Sequence, residues 1–420
     1  MKFILKTILT VIFALCFYEA NQHITQLNLH SPNYILIDGN YRTVLAKKND
    51  QEPIYPASTT KVMTALTVQT LFHIDVDELL QSTSLAIQST TKTKREQYPH
   101  MLEQSASHIG LKNGELLSFK HIMEGMLISS GCDASNVIGL LDENGLDGFI
   151  DKMNKLSNKI GCKHTWFKNT HGLHHDQQVS SVYDLSLIAI HALRDPLISD
   201  IVSKKYFHRP QTNIQSKATF RSTNLLVSPS SDYFYENAIG LKTGYTDEAG
   251  AVLIGAARYN DRLLIAVVAG TKSAESAATD VKTLFDFGFS EVFRSVTHIK
   301  RDDSRLIRYT PYFWQNNIKG ELESDLEASV YASNEENTQV AIKWFEVELP
   351  VVKKQHIGNA YILNTQQDQV KLMHIYAAEE TKSSQLGFVL FIFFVIILAF
   401  FLNGLKPTRR IPKVTMYDTY

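Results

Sequence analysis

A serine and a lysine three residues apart could supply a nucleophile and its base. Ser58 and Lys61 begin and end the run Ser58-Thr59-Thr60-Lys61, and side chains three apart on a helix lie on one face. A serine hydroxyl is a poor nucleophile near neutral pH unless a neighbouring base takes its proton. A lysine can be this base when burial or another cation lowers its pKa. The pair indicates acyl transfer through a covalent intermediate on Ser58.

The same four letters occur a second time, at Ser89-Thr90-Thr91-Lys92. About one or two such copies are expected by chance in a chain of this composition. Residues 93–96 continue the second copy with polar and charged side chains, so no desolvated surroundings would lower the pKa of Lys92. We therefore interpret Ser89 as an ordinary surface residue.

Two further motifs follow Ser58 along the chain. Ser130-Gly131-Cys132 adds a second hydroxyl, and Lys242-Thr243-Gly244 adds a cation, a hydroxyl and a residue without a side chain. Motifs of these types in this order are the signature of serine penicillin-recognising enzymes. Their order and spacing favour Ser58 over Ser89 as the nucleophile.

The residues around these motifs resemble the D-alanyl-D-alanine carboxypeptidases among the low-molecular-mass penicillin-binding proteins. The resemblance rests on Pro56-Ala57-Ser58-Thr59-Thr60-Lys61, Ser130-Gly131-Cys132-Asp133-Ala134, Gly240-Leu241-Lys242-Thr243-Gly244-Tyr245-Thr246, and Phe167-Lys168-Asn169-Thr170-His171-Gly172-Leu173 with Ser180 and Asp184. It extends from Tyr34 to Phe289. It implies a serine peptidase that removes the terminal D-alanine from peptidoglycan pentapeptide stems, that β-lactam antibiotics inhibit covalently, and that needs no cofactor.

The resemblance also implies catalytic roles. Ser58 would attack the carbonyl of the penultimate D-alanine, Lys61 would accept its proton, and Ser130 would relay a proton to the departing D-alanine. Each role suits its side chain. The backbone N–H groups of Ser58 and Tyr245 would stabilise the oxyanion.

Substrate-binding roles follow from the same resemblance. Lys242 and Thr243 would hold the terminal carboxylate of the substrate, and Gly244 would let the substrate backbone approach closely. Cys132 stands where relatives usually carry an asparagine, which contacts the lysine and a substrate amide. A thiol is a weak substitute for an amide, and one lost hydrogen bond costs about 1 to 3 kcal/mol. We therefore expect lower activity, not its loss.

A second departure concerns the terminal carboxylate. Relatives tend to carry an arginine after the second hairpin, whereas residues 273–278 here contain none, and Lys272 is the nearest cation. We expect a weaker or altered preference for a free carboxylate. A D,D-endopeptidase that cleaves internal cross-links is therefore an alternative.

Other functions stay open as alternatives. The departure at Cys132 would also suit a penicillin- or peptidoglycan-binding protein without turnover, and a β-lactamase is a third possibility. Cys132 itself is a poor candidate nucleophile, because the sequence places no histidine base beside it. His171, His174 and His175 belong to no His-Glu-x-x-His run, and no paired cysteine motif accompanies them, so we expect no metal site.

The pattern of apolar residues predicts the elements that position these motifs. Two apolar runs around Asp38-Gly39-Asn40 predict a hairpin between Asn33 and Leu45, and Ala251–Arg258 with Arg262–Ala269 predict another. Helical periodicity begins at Ser58 and recurs over Phe119–Leu127 and Ala134–Leu141. Strand-like runs follow Phe289. These elements favour the α+β class, and the resemblance implies a transpeptidase/β-lactamase-like fold, an antiparallel sheet beside a helical cluster.

Both ends of the chain indicate export and membrane attachment. A charged start and the apolar run Thr7–Phe17 are typical of a signal peptide. Residues 386–402 form a run of 17 without a polar side chain, which predicts a transmembrane helix. The basic residues after this run predict a cytoplasmic tail. We therefore expect a single-pass protein of the cytoplasmic membrane with its catalytic domain on the outer face.

The expected domain limits follow from these features. They are a signal peptide or N-terminal anchor at 1–20, a serine D,D-peptidase domain at 23–290, a β-rich domain at 291–380, a transmembrane helix at 386–402 and a tail at 403–420. The chain has 42 basic and 43 acidic residues, a balance that suggests no nucleic-acid partner. Cys132 and Cys162 follow the signal segment, too few for a disulfide scaffold, although one bridge between them is possible.

Overall fold

The computed structural model describes residues 27–94, 96–309, 317–331, 339–363, 369–381 and 385–404. The chain divides into two compact units, Met1–Val292 and Phe293–Tyr420. The expected signal segment at 1–20 and most of the expected tail at 403–420 lie outside the described residues.

Strands and helices alternate through the first unit. Its strands are β1 (Asn33–Asp38), β2 (Val44–Lys48), β3 (Leu79–Gln81), β4 (Ser89–Thr90), β5 (Leu102–Glu103), β6 (Leu116–Ser118), β7 (Tyr206–Arg209), β8 (Ala218–Arg221), β9 (Ala238–Thr246), β10 (Gly250–Tyr259) and β11 (Arg262–Thr271). Its α-helices are α1 (Thr60–Leu71), α2 (Ser84–Ile87), α3 (Phe119–Leu127), α4 (Cys132–Gly139), α5 (Gly145–Lys159), α6 (Val182–Ala192), α7 (Pro196–Val202) and α8 (Ala274–Ser290).

A five-stranded antiparallel sheet in the order β2-β1-β11-β10-β9 forms the centre of this unit. Both predicted hairpins belong to it. The Asp38 carboxylate accepts hydrogen bonds from the backbone N–H groups of Asn40 and Tyr41, at 2.8 and 2.9 Å, which closes the first turn. Asn260 closes the second turn at a φ of 52°, a conformation that asparagine tolerates.

Helices cover this sheet and build the core. Val281 and Phe285 of α8 lie against Gly255 of β10, where a side chain would collide with them. Helix α6 packs on β11 and also on α1. Residues 60–68 of α1 are all buried, because this helix lies inside the helical cluster and has no solvent-facing side there. The predicted α+β class is confirmed.

Strands dominate the second unit. Its strands are β12 (Phe293–Ile299), β13 (Ile307–Arg308), β14 (Ile318–Leu322), β15 (Leu326–Tyr331), β16 (Gln339–Trp344), β17 (His356–Leu363) and β18 (Gln369–Ala377). β12 pairs with β15, and the others form a sheet in the order β13-β14-β18-β17-β16. Ile357, Ile362 and Ile375 belong to a buried cluster of this unit, as alternating apolar residues on strands predict.

Helix α9 (Gln385–Gly404) covers the run for which the sequence predicts a transmembrane helix. In the described part of the chain no helix is long and apolar enough to cross a membrane. The structure therefore does not support the predicted span.

Candidate active site

Ser58 lies in a 3₁₀ turn, Ala57–Thr59, that leads directly into α1. Lys61 follows in the first turn of α1, and its Nζ lies 2.9 Å from Ser58 Oγ. Ala57 has a φ of 47°, which costs a non-glycine residue roughly 1–2 kcal/mol. Such strain is common at active sites, where the surrounding structure holds it in place.

The Lys61 amine is buried among three acceptors. Lys61 is 0% exposed, and its Nζ contacts Ser58 Oγ, the His171 carbonyl oxygen and, at 3.4 Å, Cys132 Sγ. Burial lowers the pKa of Lys61 from its ordinary value of 10.5. A neutral amine has two hydrogens and one lone pair. It can donate to His171 and Cys132 while the lone pair accepts the hydroxyl proton of Ser58.

Ser130 and Cys132 enter the site at the start of α4. Ser130 has a φ of 62° and is nearly buried. Asp133 stabilises the next turn. Its carboxylate accepts hydrogen bonds from the backbone N–H groups of Ile109 and Leu111, both at 3.0 Å. Burial raises the pKa of the Cys132 thiol, so the neutral thiol is favoured. This weighs against a cysteine nucleophile.

Strand β9 brings Lys242 and Thr243 to the same place. Lys242 is 1% exposed, and its Nζ donates to the Thr243 carbonyl oxygen at 2.9 Å. Burial, and then the charge of Lys61, hold the pKa of Lys242 well below its ordinary value. Two buried amines so close together do not both hold a proton easily. A charged Lys242 side chain therefore needs an anion in the site.

A cavity of about 390 Å³ brings the motif residues together. The predicted residues that line it are Ser58, Ser130, Cys132, Thr243, Gly244 and Tyr245. Leu173, Thr223, Leu225 and Ala274 are among the others. Lys61 and Lys242 lie beneath this lining, and no charged side chain belongs to the lining in the described part of the chain. Lys272 is absent from it, and alanines of α8 stand there instead.

Sequence reasoning did not identify three features of the site. The His171 carbonyl accepts a hydrogen bond from Lys61, but a main-chain oxygen carries no sequence signal. Thr223 Oγ1 lies 2.6 Å from Thr243 Oγ1, and an isolated threonine is too common to attract notice. Gly172 belongs to a motif of the resemblance, but its packing against Ala57 is visible only in the fold.

The remaining candidates lie apart from this cluster. Lys92 forms ion pairs with Asp247 and Glu248, and its side chain is 49% exposed, so Ser89 has no buried base. Cys132 and Cys162 are both free, buried thiols, and the bridge between them that the sequence left possible does not form.

Comparison with known proteins decides the family. The family model described as D-alanyl-D-alanine carboxypeptidase, peptidase family S11, matches residues 20–273. The chain belongs to this family. The predicted resemblance is confirmed.

Relatives of this S11 family chain carry the same description. The chain is 30% identical over 297 residues to D-alanyl-D-alanine carboxypeptidase DacF of Bacillus subtilis, which covers 69% of this chain and 72% of that protein. It is 28% identical over 291 residues to DacC of Escherichia coli, covering 69% of each.

Solved structures share the fold. Penicillin-binding protein 5 of Haemophilus influenzae matches 86% of this S11 chain and all of its own, with a TM-score of 0.63 at 22% identity. The DD-transpeptidase of Streptomyces K15 matches 64% of this chain and all of its own, with a TM-score of 0.56 at 24% identity. These matches confirm the expected transpeptidase/β-lactamase-like fold.

Gly172→Ala should slow the reaction of Ser58 with a serine-directed fluorophosphonate by about 100-fold, the typical effect of a misplacement near 1 Å. Gly172 has a φ of 87°, and an added Cβ would lie 1.9 Å from the Ala57 carbonyl oxygen. Gly145→Ala is the control. Gly145 has a φ of 64°, which strains an alanine in a similar way, but no atom lies within 4 Å of the Cβ that the substitution would add. Equal labelling rates in the two variants would contradict the proposed packing.

The rate at which the serine-directed fluorophosphonate reacts with Ser58 should rise with pH and then level off. Only the neutral amine of Lys61 can accept the proton, and burial lowers its pKa from 10.5. The rate should therefore be low below the apparent pKa and high above it, with a midpoint under 10.5. Because Lys61 interacts with Lys242, this midpoint belongs to the pair. Lys61→Arg should abolish the rise, and an unchanged profile in this variant would exclude Lys61 as the base.

Proposed function

We propose that this chain is a serine-type D-alanyl-D-alanine carboxypeptidase that removes the terminal D-alanine from peptidoglycan pentapeptide stems. The 2.9 Å contact between Lys61 Nζ and Ser58 Oγ in a buried site carries the proposal. Membership of the S11 family supports the reaction type. The acyl-enzyme forms on Ser58.

Acylation follows from the geometry of the cavity. Ser58 Oγ attacks the carbonyl carbon of the penultimate D-alanine while its proton passes to Lys61. The backbone N–H groups of Ser58 and Tyr245 stabilise the oxyanion, each contributing roughly 3 kcal/mol. Lys61 passes the proton it took from Ser58 to the Ser130 hydroxyl, which donates its own proton to the nitrogen of the leaving D-alanine as the amide bond breaks. Water then attacks the ester carbonyl, a proton of the water passes through Lys61 to Ser58 Oγ as the ester bond breaks, and the shortened stem leaves as a carboxylic acid.

The terminal carboxylate of the substrate lies against Thr243 in this proposal. Thr223 orients the Thr243 hydroxyl through their 2.6 Å contact, and the Lys242 amine lies on the same strand. An anion beside a buried amine favours its protonated form, so the bound substrate restores positive charge at Lys242 while Lys61 stays neutral. Gly244 lets β9 lie close to the turn that carries Ser58, because an added Cβ would lie 2.9 Å from the Ser58 backbone nitrogen.

A D,D-endopeptidase is the second candidate. The lining of the cavity carries no charged side chain among the described residues. A neutral group after the scissile bond therefore loses less hydration free energy on binding than a carboxylate does. Cleavage of an internal cross-link would place an amide in that position. The chemistry at Ser58 would be the same.

The proposal includes β-lactam antibiotics as covalent inhibitors of Ser58, since their strained amide offers the same electrophilic carbonyl. It also includes action outside the cytoplasmic membrane, where peptidoglycan lies. The signal-like start of the chain supports export. Attachment through residues 386–402 stays a prediction from the sequence.

The full chain should release D-alanine from a pentapeptide stem and form a lasting adduct of penicillin on the Ser58 peptide. Ser58→Ala should abolish both, while Ser89→Ala, the matched change in the repeated Ser-Thr-Thr-Lys run, should leave both intact. The measurements are a D-alanine assay and peptide mass spectrometry.

Other outcomes separate the alternatives. An adduct without D-alanine release indicates a binding protein, and rapid turnover of the drug indicates a β-lactamase. Faster cleavage of cross-linked dimers than of pentapeptides indicates the endopeptidase. Unchanged hydrolysis in Ser58→Ala would refute the proposal.

Cys132→Asn should raise the rate of D-alanine release by about 10-fold, which corresponds to one hydrogen bond of roughly 1.4 kcal/mol. The amide would donate to the substrate and accept from Lys61 more strongly than the thiol does. Cys162→Ser is the control, because it changes another buried thiol, which donates to the Asp184 carbonyl at 3.7 Å. No gain from Cys132→Asn, or an equal gain in both variants, would show that the thiol does not limit the reaction.

A further inference from the structure

Three side chains outside the cavity form a cluster that has no role in the proposed reaction. Glu96, His174 and Asp176 each offer one ligand atom, and these atoms lie within 4.8 Å of one another. His174 follows directly after Leu173, which lines the cavity. We propose that these three side chains bind a divalent transition-metal ion of the Zn²⁺ type, although the sequence predicts no metal site.

The distances suit tetrahedral coordination. Metal–ligand bonds of about 2.1 Å place neighbouring tetrahedral ligands roughly 3.4 Å apart. His174 Nε2 lies 3.0 Å from Asp176 Oδ1 and 4.0 Å from Glu96 Oε1, and these two distances bracket that value. The Glu96 and Asp176 side chains are 44% and 75% exposed, so each can adjust without repacking the core. Water would complete the coordination.

The types of ligand favour a transition metal over Mg²⁺ or Ca²⁺. An imidazole nitrogen suits Zn²⁺ and its neighbours in the series, whereas Mg²⁺ and Ca²⁺ prefer oxygen ligands alone. The backbone N–H of Asp176 also points at the Glu96 carboxylate, at 3.2 and 3.3 Å from its two oxygens. This holds two carboxylates side by side, an arrangement that a cation stabilises.

The other nitrogen of His174 provides an independent argument. His174 is 8% exposed, and its Nδ1 is buried with no hydrogen-bond partner among the described residues. Glu248 Oε2 lies 3.9 Å from this nitrogen. When a metal takes the lone pair of Nε2, the ring proton resides on Nδ1, and a small shift of Glu248 lets its carboxylate accept that proton. A carboxylate behind a ligating histidine is the usual outer partner of such sites.

The neighbouring His175 is arranged differently. Its Nδ1 accepts the backbone N–H of Gln177 at 3.1 Å, which occupies the lone pair that a metal would need. The His174 ring is held instead by an edge-to-face contact with Tyr55, with ring centroids 4.5 Å apart. The structure thus distinguishes His174 as the ligand.

A metal here would join two segments of the chain, one of which borders the catalytic cavity through Leu173. Glu96 belongs to the segment after β4, and His174 and Asp176 follow the His171 carbonyl that accepts a hydrogen bond from Lys61. A bound ion would link these segments as a cross-link does. We therefore expect it to stabilise the fold around the cavity without taking part in the chemistry at Ser58.

The test uses the full chain after treatment with a chelator. Equilibrium dialysis with ZnCl₂ and elemental analysis should find about one tightly bound Zn²⁺ per chain, since three protein ligands and water make one site. MgCl₂ at the same concentration should not compete. Thermal unfolding should shift upward with Zn²⁺, because an ion that binds only the folded state stabilises it.

Matched variants locate the ion. Asp176→Asn should weaken Zn²⁺ binding strongly, and Glu248→Gln should weaken it by about 10- to 100-fold, as loss of an outer partner typically does. Asp147→Asn is the control, because His100 Nε2 and Asp147 Oδ1 form a similar pair at 2.8 Å, with no third ligand among the residues that the structure describes. Glu96→Gln gives a second test if Asp176→Asn unfolds. Absence of Zn²⁺ binding, or binding that both ligand variants leave unchanged, would overturn the proposal.

Discussion

The burial of one amine is the constraint on which the catalytic site depends. Lys61 is inaccessible to solvent, and a charged ammonium loses its hydration there, which lowers its pKa. The surrounding groups limit this cost. A hydroxyl, a thiol and a main-chain carbonyl, from Ser58, Cys132 and His171, surround the nitrogen. Because none of them is a carboxylate, no strong ion pair holds the proton, and the amine stays available as a base.

Hydrogen bonds within the following loop hold the His171 carbonyl in position. The Asn169 side chain accepts the backbone N–H of Gly172 at 2.7 Å and donates to the Leu173 carbonyl at 2.9 Å. Gln178 donates to the same Asn169 oxygen at 3.1 Å. This network satisfies polar groups in a buried loop, as burial requires. The cluster of Glu96, His174 and Asp176 borders the same loop, so a cation there would reinforce the loop from its outer side.

The electrostatics of the cavity link binding to catalysis. Lys61 and Lys242 lie beneath a lining of neutral side chains, and the charge of Lys61 makes a proton on Lys242 less favourable. An anionic substrate would favour protonation at Lys242, while Lys61 must be neutral to accept a proton from Ser58. The pair can therefore share these roles, with one amine holding charge and the other acting as base. Cys132 supplies no charge, because burial favours its neutral thiol.

The sequence by itself determined the proximity of Ser58 and Lys61, the two hairpins and the helix Phe119–Leu127. These are local features: three residues of helix place Lys61 beside Ser58, and alternating apolar residues on both sides of a turn form a hairpin. Only the tertiary structure decided which distant groups complete the site. The His171 carbonyl lies 110 residues from Lys61, and Glu96 lies 80 residues from Asp176. Such contacts depend on how helices and loops pack, and neither a main-chain oxygen nor a lone carboxylate leaves a periodic pattern in the sequence.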